Sequence, residues 1–188
     1  MMRPSIALLS FLPLTLALPY DTPHLQKRAS TDLANETLSE IAALSSAVTD
    51  LTDAVNAFDG SLLTVIPQSL AVITAETKLD ATILKATWIV KQSANFTDAE
   101  SSSIVSALAN LITPIQGSLT ALTDKYETFK QTLESPIVLL DLKILKAHTD
   151  DLIDAVTAKV TETNAGLLGL GTGVIDQAFD AAITVYEG

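Results

Sequence analysis

Cysteine is absent from the 188 residues, so no disulfide staples the chain and no thiol acts as nucleophile or ligand. The same absence excludes the disulfide-knit scaffolds of small surface-active proteins. Aromatic residues are scarce, with one Trp, three Tyr and five Phe, and the core must be built mainly from Leu, Ile, Val and Ala. Basic residues are few, 11 against 22 acidic, for a net charge of −11. Such a surface repels phosphate backbones, which argues against a nucleic-acid partner, and charge alone does not draw it to anionic membranes. No segment shows convincing strand alternation.

What is present begins with a tripartite leader. Arg3 supplies a positive end, Ile6 to Leu16 an apolar stretch, and Thr15-Leu16-Ala17 the small residues read by a signal peptidase. The stretch is too short for a spanning helix and contains Pro13, so cleavage after Ala17 is expected and a transmembrane anchor is not. Residues 18–28, "LPYDTPHLQKR", hold two prolines and no helical period. They end in Lys27-Arg28, a pair that a dibasic processing protease reads in an extended strand. The expected organisation is a signal peptide over 1–17, a propeptide over 18–28 and a helical binding domain over 29–188. Removing residues 1–28 takes away Arg3, Lys27, Arg28 and Asp21, leaving 160 residues with 8 basic and 21 acidic ones, a net charge of −13. That length suits one domain with a substantial core. The sequons Asn35-Glu36-Thr37 and Asn95-Phe96-Thr97 fit the same secretory route.

Helical periodicity dominates the rest. Ile41, Leu44, Val48, Leu51, Val55 and Phe58 are spaced by 3 and 4, and Asp59-Gly60 ends that helix. A second run over about 61–93 carries Leu62, Ile66, Leu70, Ile73, Leu84 and Trp88, with Pro67 either delaying its start to Ser69 or kinking its first turns. Thr97 and Glu100 have capping-box spacing ahead of Ile104, Leu108, Leu111 and Ile115, and Pro114 breaks or bends that helix near Thr113. Leu119, Leu122, Tyr126, Phe129 and Leu133 run on to Ser135-Pro136, read as a cap and first helical position. Val138, Leu142, Leu145, Leu152, Val156 and Val160 form the next face. The glycine-rich "NAGLLGLGTG" then reads as a joint before a short last helix. The fold class is all-α, an antiparallel bundle of about five to six helices.

Candidate chemistry is thin. His148 is the one histidine after residue 28, and no nucleophile-elbow motif accompanies it, so it reads as a helix-edge histidine and catalysis is not expected. Asp150, Asp151 and Asp154 do not share a face or form a calcium loop, so no metal is expected. Gly166, Gly169, Gly171 and Gly173 lack the preceding strand of a dinucleotide site, and no cofactor is expected. Two readings remain for these glycines: a flexible joint, or a hinged lid at a pocket mouth with Leu167, Leu168 and Leu170 as apolar contacts. Thr77 continues the Ile73 stripe by four and is expected to face inward, bonded to its own helix or to a ligand carboxylate.

The leader, the Lys-Arg propeptide end and "LSSAVTDLTDAVNAFDGSLLTVIPQSLAVITA" together resemble the fungal hydrophobic-surface-binding protein A family, which includes cell-wall galactomannoproteins. The resemblance covers about Leu33 to Val160 and is strongest in "DLTDAVNAFDG" and "SALANLITPIQGSLTALTDKYETF". It implies a secreted or wall-associated, non-enzymatic helical domain that binds long-chain fatty acids or hydrophobic surfaces. Cell-wall polysaccharide or a secreted hydrolase are further partners in view. The alternative is a structural wall mannoprotein without a dedicated ligand. The final "AAITVYEG" carries no polar spacer and hydrophobic tail, so no lipid anchor is expected. The stripes place a lipid-binding wall at Leu70, Ile73, Thr77 and Leu84, then Leu108, Leu111 and Ile115. Leu119, Leu122 and Phe129 continue it, and Leu142, Leu145 and Leu152 close it.

The secreted protein is expected to begin at Ala29 and to carry glycans on Asn35 and Asn95. Amino-terminal sequencing and the mass change on enzymatic deglycosylation check this; a chain starting at Leu18, or an unchanged mass, contradicts it.

Overall fold

Seven helical segments follow one another: α1 (Thr22–Ala57), α2 (Val65–Gln92), α3 (Asp98–Ala109), α4 (Ile112–Asp124), α5 (Tyr126–Gln131), α6 (Ser135–Thr157) and α7 (Glu162–Glu187). The computed structural model describes the backbone of residues 22–188 and the side chains from residue 32 onward. Among these residues there is no strand, and α5 is a six-residue link between longer helices. The all-α bundle expected from periodicity is what the chain forms. The signal-peptide boundary at Ala17 lies outside the described residues. Thr22 to Arg28, expected without helix, form the first turns of α1.

The helices close a ring. α1 packs on α2, α2 on α6, α6 on α7, α7 on α4, and α4 back on α1, while α3 leads into α4 and touches α1 and α7. Each buries the stripe that its sequence spaces at 3 and 4. Ile41, Leu44, Val48, Leu51, Val55 and Phe58 are all buried, as their spacing predicts. Ile104, Leu111, Leu119 and Leu122 do the same for α3 and α4. The span Asp98–Asp124 is long and apolar enough to cross a membrane, but here its apolar face is spent on α1 and α7.

The helix ends are tied individually. α1 stops where Gly60 takes φ +69°, and Asp59 Oδ1 accepts from Ser61 N–H at 2.9 Å and from the Thr64 hydroxyl at 3.1 Å. Gln68 reaches back to donate to Ala57 O at 2.9 Å. Lys125 Nζ donates to Phe58 O at 2.7 Å, and the Phe58 ring stacks on Phe129 at 4.5 Å between centroids. The capping box at Thr97 and Glu100 forms as expected, with Thr97 N–H donating to the Glu100 carboxylate at 2.8 Å.

Several expectations are corrected. α2 starts at Val65, so Pro67 sits in its first turn, where a missing N–H costs no bond and no kink is needed. Pro114 lies in the first turn of α4, and the break comes earlier, at Asn110-Leu111. Ser135 and Pro136 are both already helical, with Glu134 as the cap. The glycine-rich stretch is no joint: α7 runs through it for 26 residues, because burial of Leu168, Ile175 and Phe179 outweighs weak glycine propensity.

A methyl group on Gly60 would lie 2.7 Å from Thr128 Cγ2, whereas one on Gly169 meets nothing within 4 Å. Gly60→Ala is therefore expected to cost more than about 1 kcal/mol, and Gly169→Ala to add roughly 0.5–1 kcal/mol by stiffening α7. Denaturant unfolding midpoints read both.

Candidate functional site

The ring encloses a cavity of about 160 Å³. Every long helix contributes to it. Leu44, Val48 and Leu51 come from α1, Leu79 and Ile83 from α2, and Val105, Leu108 and Ala109 from α3. Leu111 comes from the α3–α4 junction, and Ile112, Ile115, Ser118, Leu119 and Leu122 from α4. α6 adds Leu145, Thr149, Leu152 and Ile153, and α7 adds Leu167, Leu168, Gly171, Thr172, Ile175 and Phe179. Apolar cavities of roughly this volume stay dry and accept small hydrocarbons. Leu167 and Ala109 are exposed as well as lining, which places the rim between α3 and the first half of α7.

One buried polar atom on this wall is without a partner. Ser118 is 5% exposed, and its Oγ makes no hydrogen bond, not even to its own helix. A buried hydroxyl left unpaired costs about 1–3 kcal/mol unless something in the cavity bonds to it. Thr172, by contrast, donates to Leu168 O at 3.1 Å.

The structure sorts the expected wall residues. Leu108, Leu111, Ile115, Leu119, Leu122, Leu145 and Leu152 line the cavity. Leu70, Ile73, Thr77 and Leu84 do not; they are exposed on the outer side of α2. The buried stripe of α2 is Val72, Ala75, Leu79, Ile83, Ala86 and Val90. Its unbroken spacing of 3, 4, 4, 3 and 4 was the available signal, but the larger side chains of the opposite face obscured it. Phe129 is buried in its stack with Phe58, and Leu142 is buried in the core, neither on the cavity wall. α7 was missed apart from Leu167 and Leu168, because its glycines read as an interruption. Leu170, grouped with those two, is exposed. Gly171 has a packing role instead, since a methyl group there would lie 3.0 Å from Ile112 Cδ1. Asn35 and Asn95 are both exposed.

His148 is held at the α2–α6 contact, its Nδ1 2.5 Å from Asp80 Oδ1. Among the described residues no hydroxyl pairs with it, and no cluster of metal-ligating side chains occurs. Acids gather along the same groove. Burial, with Asp141 and Asp80 adding repulsion, pushes the Glu76 carboxyl up to about 7, and burial likewise raises Asp141. Nearer the cavity, burial and the neighbouring Asp176 raise Asp150.

A family model described as "Hydrophobic surface binding protein A" matches residues 34–158. No curated protein matches the chain. Among solved structures, AFMP4P in complex with palmitic acid is 33% identical, with a TM-score of 0.77 over 81% of this chain and 99% of that one. Ligand binding domain 1 of Penicillium marneffei MP1 protein, complexed with arachidonic acids, is 15% identical with a TM-score of 0.73, covering 84% of this chain and 98% of that one. Domain 2 of the same protein, complexed with multiple arachidonic acids, is 17% identical with a TM-score of 0.72, covering 91% and 99%. The two MP1 domains share the fold.

The raised Glu76 sets a pH dependence. Below about pH 4.5 the carboxyl is protonated in folded and unfolded chains alike and changes nothing. Between there and about pH 7 only the folded chain keeps the proton, so stability falls as pH rises, and above that the penalty is complete. Thermal melts are expected to show a higher midpoint at pH 5 than at pH 8. Glu76→Gln should raise the pH 8 midpoint and leave that at pH 4 nearly unchanged; equal midpoints for both proteins at pH 8 contradict this.

Proposed function

Because the chain belongs to the hydrophobic surface binding protein A family, we propose that it binds a long-chain fatty acid in its central cavity without catalysing a reaction on it. The observation that carries this reading is the largely aliphatic cavity with one buried, unpartnered hydroxyl, that of Ser118, on its wall. Such a surface suits an acyl chain, and a single hydroxyl donor suits the carboxylate at its end. Each buried methylene contributes about 0.8 kcal/mol, so about ten approach the ~8 kcal/mol of a micromolar complex before the cost of immobilising the chain. AFMP4P, a third identical to this chain, was solved with palmitic acid, which supports the same ligand class.

A longer acyl chain needs more room than the closed ring gives. The first half of α7 supplies it. Gly166, Gly169 and Gly173 have open space around their α-carbons, and glycine holds a helix less firmly than alanine by about 1 kcal/mol per residue. That half of α7 yields outward around the acyl chain while Phe179 and Tyr186 hold the other half, Tyr186 by donating to Leu122 O at 2.7 Å. The exposed Asn35 and Asn95 and the leader fit a secreted or wall-associated glycoprotein. His148 serves as a structural link to Asp80.

Native mass spectrometry of the secreted protein is expected to show a fatty-acid-sized mass that departs on delipidation. Displacement of a fluorescent fatty acid should follow. Leu119→Trp fills the cavity and is expected to weaken fatty-acid affinity at least tenfold, roughly 1.4 kcal/mol, with little change in melting temperature. Ser118→Ala should weaken it by a similar factor while leaving the apo protein equally or more stable, since an unpaired hydroxyl is removed. A delipidated protein that binds no fatty acid, with Leu119→Trp unfolding early, favours a solid core and a structural wall protein.

A further inference from the structure

After residue 28 the chain contains no arginine, and its eight basic residues are all lysines. Lys78, Lys85, Lys143 and Lys146 are paired with carboxylates at 2.5–2.7 Å. Lys125 and Lys159 donate to the carbonyls of Phe58 and Ser93, and Lys130 lies over the Tyr126 ring. Lys91 is exposed on the last turn of α2. None of them lines the cavity, where the polar side chains are three neutral hydroxyls, those of Ser118, Thr149 and Thr172.

The titratable groups on the surrounding helices are mostly acids. α7 carries Asp176 and Asp180, α6 carries Asp150 and Asp154, α1 carries Asp50 and Asp53, and α4 ends at Asp124. Asp98 and Glu100 stand in the first turn of α3. Glu76, Asp80 and Asp141 gather in the α2–α6 groove, where His148 is held by Asp80. The Tyr186 hydroxyl is committed to Leu122 O. Asp150 and Asp176 directly follow the lining residues Thr149 and Ile175. Burial and the charge of Asp176 raise the Asp150 carboxyl, so this side of the cavity already resists a further negative charge.

Ser118 is 5% exposed, and a head group bonded to its Oγ is out of water. An ionised carboxylate brought there finds no cation, and burying it unpaired costs far more than one hydroxyl returns; such a group takes up a proton instead. The protonated acid fits the hydroxyl better. Ser118 can donate to its carbonyl oxygen and accept from its O–H, and a primary alcohol offers the same donor and acceptor. We infer that the cavity selects long-chain lipids with a single uncharged head, so that a fatty acid is bound as the protonated acid and a long-chain primary alcohol is an equal occupant. This rests on the fatty-acid reading of the cavity and fixes the state of its ligand. A carboxyl in water titrates at about 4–5. Below that range the ligand is neutral both free and bound, and affinity does not change with pH. Above it each bound anion brings one proton from the medium, and affinity falls about tenfold per pH unit.

The test is displacement of an uncharged alkylpyrene from the full, delipidated protein by dodecanoic acid and by 1-dodecanol, across pH 5 to 8. The alcohol is expected to bind with one affinity throughout, which controls for titration of the protein's own acids. The acid should match it near pH 5 and weaken about tenfold per unit above pH 6. Calorimetry at pH 8 in two buffers of different ionisation enthalpy should show one proton taken up per acid bound and none per alcohol. Ser118→Ala should weaken acid and alcohol by the same factor and keep the slope with pH. The inference is overturned if the acid binds equally at pH 6 and pH 8 without proton uptake, the result for a charged head left at the rim. It is overturned too if the acid displaces the probe and the alcohol does not. If neither displaces it, the fatty-acid reading falls as well.

Discussion

A ring of helices cannot close on itself without deciding what fills its axis. Packed helices stand about 8–10 Å apart, and when five of them form a ring the space along the centre belongs to none of the pairwise contacts. Large aromatic side chains could occupy it. This chain has nine aromatic residues in all, and Phe58 and Phe129 are committed to each other at one end of the bundle. Phe179 alone of the aromatics reaches the cavity wall; most of the rest is Leu, Ile and Val, with Ala109 and Gly171 among them, and these leave a gap. The aliphatic lining and the isolated Ser118 hydroxyl follow from that shortage.

A hollow centre shifts the burden of stability to the rim of the ring. The helix ends are accordingly tied by side chains that reach across: Lys125 to Phe58 O, Lys159 to Ser93 O, Tyr186 to Leu122 O and Ser69 to Glu134. The exposed ion pairs Lys78–Asp50 and Lys143–Glu187 add little by comparison, since solvent screens them. Along the α2–α6 groove the electrostatics oppose stability instead, with Glu76, Asp80 and Asp141 brought together by helices that pack for apolar reasons. Protonation of Glu76 relieves that repulsion.

Which faces were legible depended on how far one stripe exceeded its rivals. In α1 the stripe from Ile41 to Phe58 faces polar residues on its other sides, and its burial could be read directly. The same held for Leu111, Leu119 and Leu122, and for Leu145 and Leu152. α2 carries two apolar stripes, and the outer one has the larger side chains, so size pointed to Leu70, Ile73 and Leu84 while the smaller Val72, Ala75 and Leu79 were the ones that packed. Helices approach more closely along small residues, which gives the face with less apolar bulk the better contact with α1. α7 was obscured for another reason: glycine weakens a helix locally, and contacts with α3, α4 and α6 restore it.

The periodicity, the caps at Asp59-Gly60 and Thr97, the lack of cysteine and the acidic surface were determined by sequence alone, because each rests on spacing, backbone preference or charge within a few residues. Tertiary structure decided the rest: which stripe of α2 turned inward, that α7 ran through its glycines, and that Ser118 rather than Thr77 stood in the cavity. Those outcomes depend on the fit between surfaces far apart in the chain. A local pattern supplies the candidates for such a fit, and the packing of the whole ring selects among them.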